Sequence, residues 1–177
     1  MSKSRKVLRL TKRRIIGIDP GLASTGWGVI DYSGGKIRYA AHGCIETKAD
    51  RPRADRLFFI LTAIRAVLDE WNPGESAVET LFFGRNVSSA IPVAEARGVI
   101  SAALAERGLP VREFTPNAIK QGVAGITSAD KAQIQNMVRI ILGLAEIPKP
   151  DHAADALAAA ICCAHSFPLE SGSKDTR

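Results

Sequence analysis

Apolar and polar positions alternate with two different periods along this chain. Ile15 to Ile18 form a short apolar run that ends on Asp19, and residues 25–30, TGWGVI, form a second. Pro20-Gly21 between them is turn chemistry, so the two runs read as paired strands. After the turn YSGG, residues 36–45 (KIRYAAHGCI) read as a third strand. The segment ADRLFFILTAIRAVLDEW carries Leu57, Ile60, Leu61, Ile64 and Leu68 at helical spacing and stops at Asn72-Pro73-Gly74. A short strand, SAVETLF, leads to the loop FGRN. A long helix is expected from Ser89 to Arg107, with Pro92 accommodated in its first turn and Gly108 closing it. PVREFT is a further strand, and two or three helices complete the pattern. Three consecutive strands, then helices alternating with two more, predict an α/β fold: a five-stranded mixed sheet flanked by helices.

Two carboxylates interrupt apolar strands. Asp19 stands at the end of the first, where an aspartate can simply open a turn or can hold something at the mouth of a buried strand. Glu79 lies inside AVETLFF, where burial is costly unless the carboxylate is paired or ligates a cation, although alternation can also aim it at solvent. The third polar feature opens the last helix. In PKPDHAADALAAAICCAH the prolines break the preceding structure, Asp151 is placed to cap the helix, and His152 and Asp155 are three apart and share a face. Beyond Asp155 the helix is apolar on nearly every side, so it is expected to be buried with that pair at its mouth. A His and several carboxylates converging across a sheet suit Mg²⁺ or Mn²⁺, and two such ions suit phosphodiester hydrolysis.

Composition changes the picture only at one end. The 177 residues, 46% hydrophobic and 24% charged, are an ordinary globular content for one domain, with no run long enough to span a bilayer. Seven of the 24 Lys and Arg fall in residues 1–14 with no acid among them, so the other 17 face 18 acids and the body is near neutral. Residues 1–13 therefore read as a basic, flexible arm: a nucleic-acid contact, a solvated terminus or a presequence. Residues 14–167 form the domain, and the polar stretch 168–177 reads as disordered. Three cysteines, two adjacent, argue against a disulfide framework and suit a reducing cytosol. A zinc site from Cys162, Cys163, His152 and His165 lacks CxxC spacing, which favours the cysteines as small buried residues.

In their order and spacing, GIDPGLASTGWGVI, AVETLFFGRN, ARGVI, QGVAGITSADKAQIQNMV and HAADALAAAI resemble the RuvC family of Holliday junction resolvases. The resemblance runs from Arg14 to His165. It implies a ribonuclease-H-like fold and a homodimer that nicks four-way DNA junctions symmetrically in recombination and repair. It further implies Mg²⁺ or Mn²⁺, two ions per site, a branch-migration motor of the RuvA and RuvB type, and a bacterial cytoplasm. The family's catalytic carboxylates fall on Asp19, Glu79 and Asp155. The fourth position falls on His152, where many members carry Asp, and Asp151 stands beside it as an alternative ligand. On this reading Gly26 and Gly28 let neighbouring backbone pass close to Asp19.

The same resemblance implies DNA contacts from Lys120 and Lys131 near the scissile phosphate and from Phe82 against junction bases; Arg85, on the same loop as Phe82, suits a phosphate. Each has a plain structural reading too, as a solvated cation or a core ring. Val93, Ala94, Arg97, Gly98, Ser101 and Ala102 form a small-residue helix face suited to a two-fold dimer or to packing on the sheet. A YqgF-like nuclease acting on RNA and a non-catalytic junction-binding protein are the rival functions. No GxxxxGK[ST] stretch supports a P-loop NTPase.

Overall fold

The computed structural model describes residues 12–80 and 87–166. Strands β1 (Arg13–Asp19), β2 (Ser24–Ser33) and β3 (Lys36–Glu46) form an antiparallel meander. Helix α1 (Arg53–Trp71) then crosses back to β4 (Glu75–Glu79), which lies parallel to β1. Helix α2 (Val87–Glu106) leads to β5 (Val111–Phe114), parallel to β4. Three helices close the chain: α3 (Pro116–Ala124), α4 (Lys131–Leu142) and α5 (Asp151–Ser166). The sheet order is β3-β2-β1-β4-β5, so β1 is central, antiparallel to β2 on one side and parallel to β4 on the other.

Strand alternation divides the core in two. Ile16, Ile18, Val29 and Val78 pack with Ile60, Ile64, Ile100 and Leu104 of α1 and α2. Ile15, Ile30, Ala77 and Phe114 face α3, α4 and α5 on the other side. Burying each large aliphatic side chain contributes roughly 1.5–3 kcal/mol, which is why a slip by one residue in β1 is disfavoured.

Helix α5 lies unusually close to the sheet. A Cβ on Gly17 would stand 1.9 Å from the Ala156 carbonyl oxygen, and one on Gly26 would stand 1.9 Å from that of His152. Alanines 153, 154, 156, 158, 159 and 160 are buried on the helix side of this contact. Small residues on both partners thus bring the start of α5 against the end of β1.

Some boundaries differ from the sequence pattern. Helix α2 begins at Val87, so Pro92 is its sixth residue and not part of a first turn. Strand β4 ends at Glu79 rather than running on through 82, with Thr80 still donating to the Phe114 carbonyl at 2.8 Å. The C-terminal helices are well bounded: Thr115 caps α3, and Asp130 and Gln133 form a reciprocal capping box on α4.

Candidate active site

Period-two alternation places Asp19 on the same face as Ile15 and Gly17, towards α5, and Glu79 on the same face as Ala77. The parallel register that pairs Ile18 with Val78 sets these two carboxylates side by side at the C-terminal ends of neighbouring strands. The turn below Asp19 is fastened by buried Thr25, whose Oγ1 donates to the Gly21 carbonyl at 2.7 Å and accepts from the Gly21 amide at 3.3 Å. The open end of such a sheet is where α/β proteins place their ligands.

Helix α5 supplies the rest. His152 Nδ1 lies 2.7 Å from Asp19 Oδ2. One ligand atom each from Asp19, His152 and Asp155 falls within a 4.8 Å span, the one such metal-competent group among the described residues. Glu79 is not part of that group. It lines a cleft of about 220 Å³ with Asp155, Lys120 and Lys131, above a floor of Ile119, Ile134 and Ala158. A larger hollow of about 530 Å³ beside Phe58 and Phe59 of α1 lacks any such cluster.

The electrostatics are those of crowded acids. Burial raises Glu79 to about 7, with Asp19 and Asp155 adding repulsion. Burial also raises Asp19, against the opposing hydrogen bond from His152. Lys131 Nζ bridges Asp155 Oδ2 at 3.2 Å and Asp151 Oδ2 at 3.3 Å. Burial works against its charge, yet Asp155 and Asp151 outweigh it and hold the ammonium above its usual range. Asp151 is held low in turn by Lys131. Excess negative charge among oxygen donors, with one imidazole, fits a hard divalent cation.

The structure therefore brings together Asp19, His152 and Asp155, with Glu79, Lys120 and Lys131 on the adjoining cleft. Asp151 is the first residue of α5, and its carboxylate meets Lys131 rather than the Asp19 group. Phe82 and Arg85 lie outside the described residues. The zinc arrangement is not formed. Cys162 and Cys163 are buried, Cys162 Sγ donates to the Ala118 carbonyl, and His165 Nδ1 bonds Gly122 O at 2.7 Å, more than three turns along α5 from His152.

Of the two uses expected for the α2 small-residue face, a dimer surface or packing on the sheet, Arg97 takes the second. Its guanidinium turns inward, donating to the Glu79 carbonyl at 2.8 Å and pairing with Glu113, so it braces the end of β4. An arginine amid small residues in ARGVI was the available signal. Gly98 and Ala102 remain exposed on α2, while Val93, Ala94 and Ser101 are half-buried.

The family described as Crossover junction endodeoxyribonuclease RuvC matches residues 15–163. This chain belongs to the RuvC family. A relative of that description from Chloroflexus aggregans is 50% identical over 155 residues, covering 88% of this chain and 94% of the relative. One from Treponema pallidum is 48% identical over 156 residues, covering 86% and 80%. Thermus thermophilus RuvC superposes with a TM-score of 0.80 at 37% identity, over 86% of this chain and 93% of that one. The same protein in complex with a Holliday junction substrate gives 0.79 at 36%, over the same shares. The yeast mitochondrial resolvase Ydc2, 13% identical with a TM-score of 0.61, shares the fold. The ribonuclease-H-like architecture expected from the sequence is thus the family's.

Proposed function

We infer that this protein is a metal-dependent endodeoxyribonuclease that resolves four-way (Holliday) DNA junctions by paired symmetric nicks, in recombination and repair. The observation that carries this reading is the convergence of Asp19, His152 and Asp155 within 4.8 Å, beside Glu79, in a chain of this family. Those four residues would hold divalent cations, Mg²⁺ with Mn²⁺ as a substitute, two per site. Such ions supply Lewis-acid polarisation of the phosphate and a nucleophilic water at neutral pH.

The protein's own groups do the remaining work. Asp19 and Glu79 are aimed by adjacent strands, so neither needs to reorganise when DNA arrives. The Asp19–His152 hydrogen bond orients the imidazole and leaves its other nitrogen facing away from that carboxylate. Lys131, held over Asp155, and Lys120, on the same cleft, offset the charge of the incoming phosphate. Phe82 would stack on a junction base and Arg85 contact a phosphate. A two-fold homodimer through α2 would set one site on each of two opposed strands. A RuvA and RuvB type motor and a bacterial cytoplasm complete the setting; no helix among the described residues is long and apolar enough to cross a membrane.

The RNA-directed and non-catalytic readings are not favoured. Clustered carboxylates repel phosphate unless a cation intervenes, so a purely binding surface gains nothing from them. The deciding experiment is incubation of a synthetic four-way junction with Mg²⁺, with Mn²⁺ and with chelator. Symmetric nicks that require the ion are expected. Binding without nicks under every ion supports the non-catalytic reading, and cutting of RNA alone supports the other.

A further inference from the structure

The end of the sheet opposite the active site carries a charge pattern that cleavage does not use. Register aligns Arg14 of β1, Asp31 of β2 and Arg38 of β3 in one row, with Ser33 opposite Lys36 two positions further on. Helix α1 ends here: Arg14 donates to the Trp71 carbonyl at 3.0 Å and lies over its ring. Past that point Lys12, Asp31, Ser33, Gly34, Lys36 and Arg38 line a concavity of about 420 Å³ that no helix residue lines.

Cations dominate it. Asp31 is the one acid, and it is already held by Arg14 at 2.8 Å and Lys12 at 2.8 Å, which keep it below the usual carboxylate range. Lys36 and Arg38 are exposed, with no acidic partner among the described residues. Four cations against one anion leave a net charge of +3 on this surface. A seven-residue strand separates this surface from Asp19 by about 20 Å.

We propose that this concavity is a second DNA-binding surface that grips the phosphate backbone of duplex DNA away from the site of cutting. Lysine, arginine and serine are the side chains that contact phosphate. Charge alone carries this grip, so duplexes of unrelated sequence are expected to bind alike. A cationic surface of this kind holds the protein on ordinary duplex and lets it slide or hop. The proposal rests on the reading that this chain works on DNA.

The test uses the full chain and a plain duplex without a junction, with affinity measured by fluorescence anisotropy across salt. Replacing Lys36 and Arg38 by glutamine removes two phosphate contacts, so the slope of log affinity against log salt should fall by about 1.8. Lys36→Arg with Arg38→Lys, which keeps the charge, should restore the original slope. A slope untouched by the double glutamine variant overturns the proposal. So does loss of binding to phosphatidylserine vesicles with duplex binding intact, which would make this a lipid-facing surface. Failure of the resolvase reading registers separately, as absence of junction nicking by the unaltered protein.

Discussion

Asp19 Oδ2 and His152 Nδ1 meet at 2.7 Å although 133 positions separate them in the chain. One residue sits at the end of the central strand and the other in the first turn of the last helix. Their contact exists because Gly26, opposite Asp19 in the ladder, lets the His152 carbonyl come where a side chain would be.

Gly26→Ala tests that closeness. The added methyl meets backbone at 1.9 Å, which no rotamer change can relieve, so α5 must move away from the sheet. A loss of about 2–3 kcal/mol in unfolding free energy is expected, with activity lost in the fraction that folds. Denaturant titration with a parallel junction-cleavage assay checks both; wild-type stability and rate would show that the approach of α5 is not needed.

Asp19→Asn, Glu79→Gln and Asp155→Asn should each reduce junction cleavage by at least about 1,000-fold, since each removes a charged oxygen aimed at the ion site. Affinity for the junction should change by less than about threefold, because it rests on cationic contacts with phosphates. Gel-shift and single-turnover rates, measured on the same preparations, separate the two. Parallel losses of binding and cutting in a folded variant would count against the assignment.

Glu79 makes the ion-free protein sensitive to pH. Its carboxyl is raised to about 7 from 4.5, so the folded state binds a proton that the unfolded state releases. The resulting stabilisation is complete below about pH 4.5 and is lost as pH rises through 7. Without divalent ions, the melting temperature of Glu79→Gln should therefore exceed that of the wild type at pH 8, with the gap closing towards pH 5. Raised Asp19 contributes in the same direction, so some decline persists in the variant. Identical wild-type and variant profiles would place Glu79 in ordinary solvent.

His152→Asp tests whether the imidazole is itself a ligand. Imidazole ligates only when neutral, so protons compete with the ion as pH falls, and it is the softer donor. The variant should stay active to lower pH and use Mg²⁺ better relative to Mn²⁺. Rates with each ion across pH provide the check. If neither profile nor preference moves, His152 is no ligand and acts by orienting Asp19 alone.

Sequence pattern by itself determined the secondary elements, the α/β class and the acids at issue, because periodicity and Pro-Gly punctuation are local signals. Asp19, Glu79, His152 and Asp155 were legible for the same reason: polar residues in apolar strands and at the mouth of an apolar helix are conspicuous. Only the tertiary structure decided which of them meet. The close contact of α5 with the strand glycines sets Asp19, His152 and Asp155 within 4.8 Å, the parallel register of β1 with β4 brings Glu79 alongside Asp19, and both are long-range relationships that no window of sequence contains. Partner choice was equally invisible. The sequence leaves Asp151 open as a ligand, where the structure pairs it with Lys131, and leaves Arg97 open between a dimer surface and the sheet, where the structure puts its guanidinium on the Glu79 carbonyl. A charged side chain takes whichever counter-charge folding brings within reach, and its neighbours in sequence carry no record of that choice.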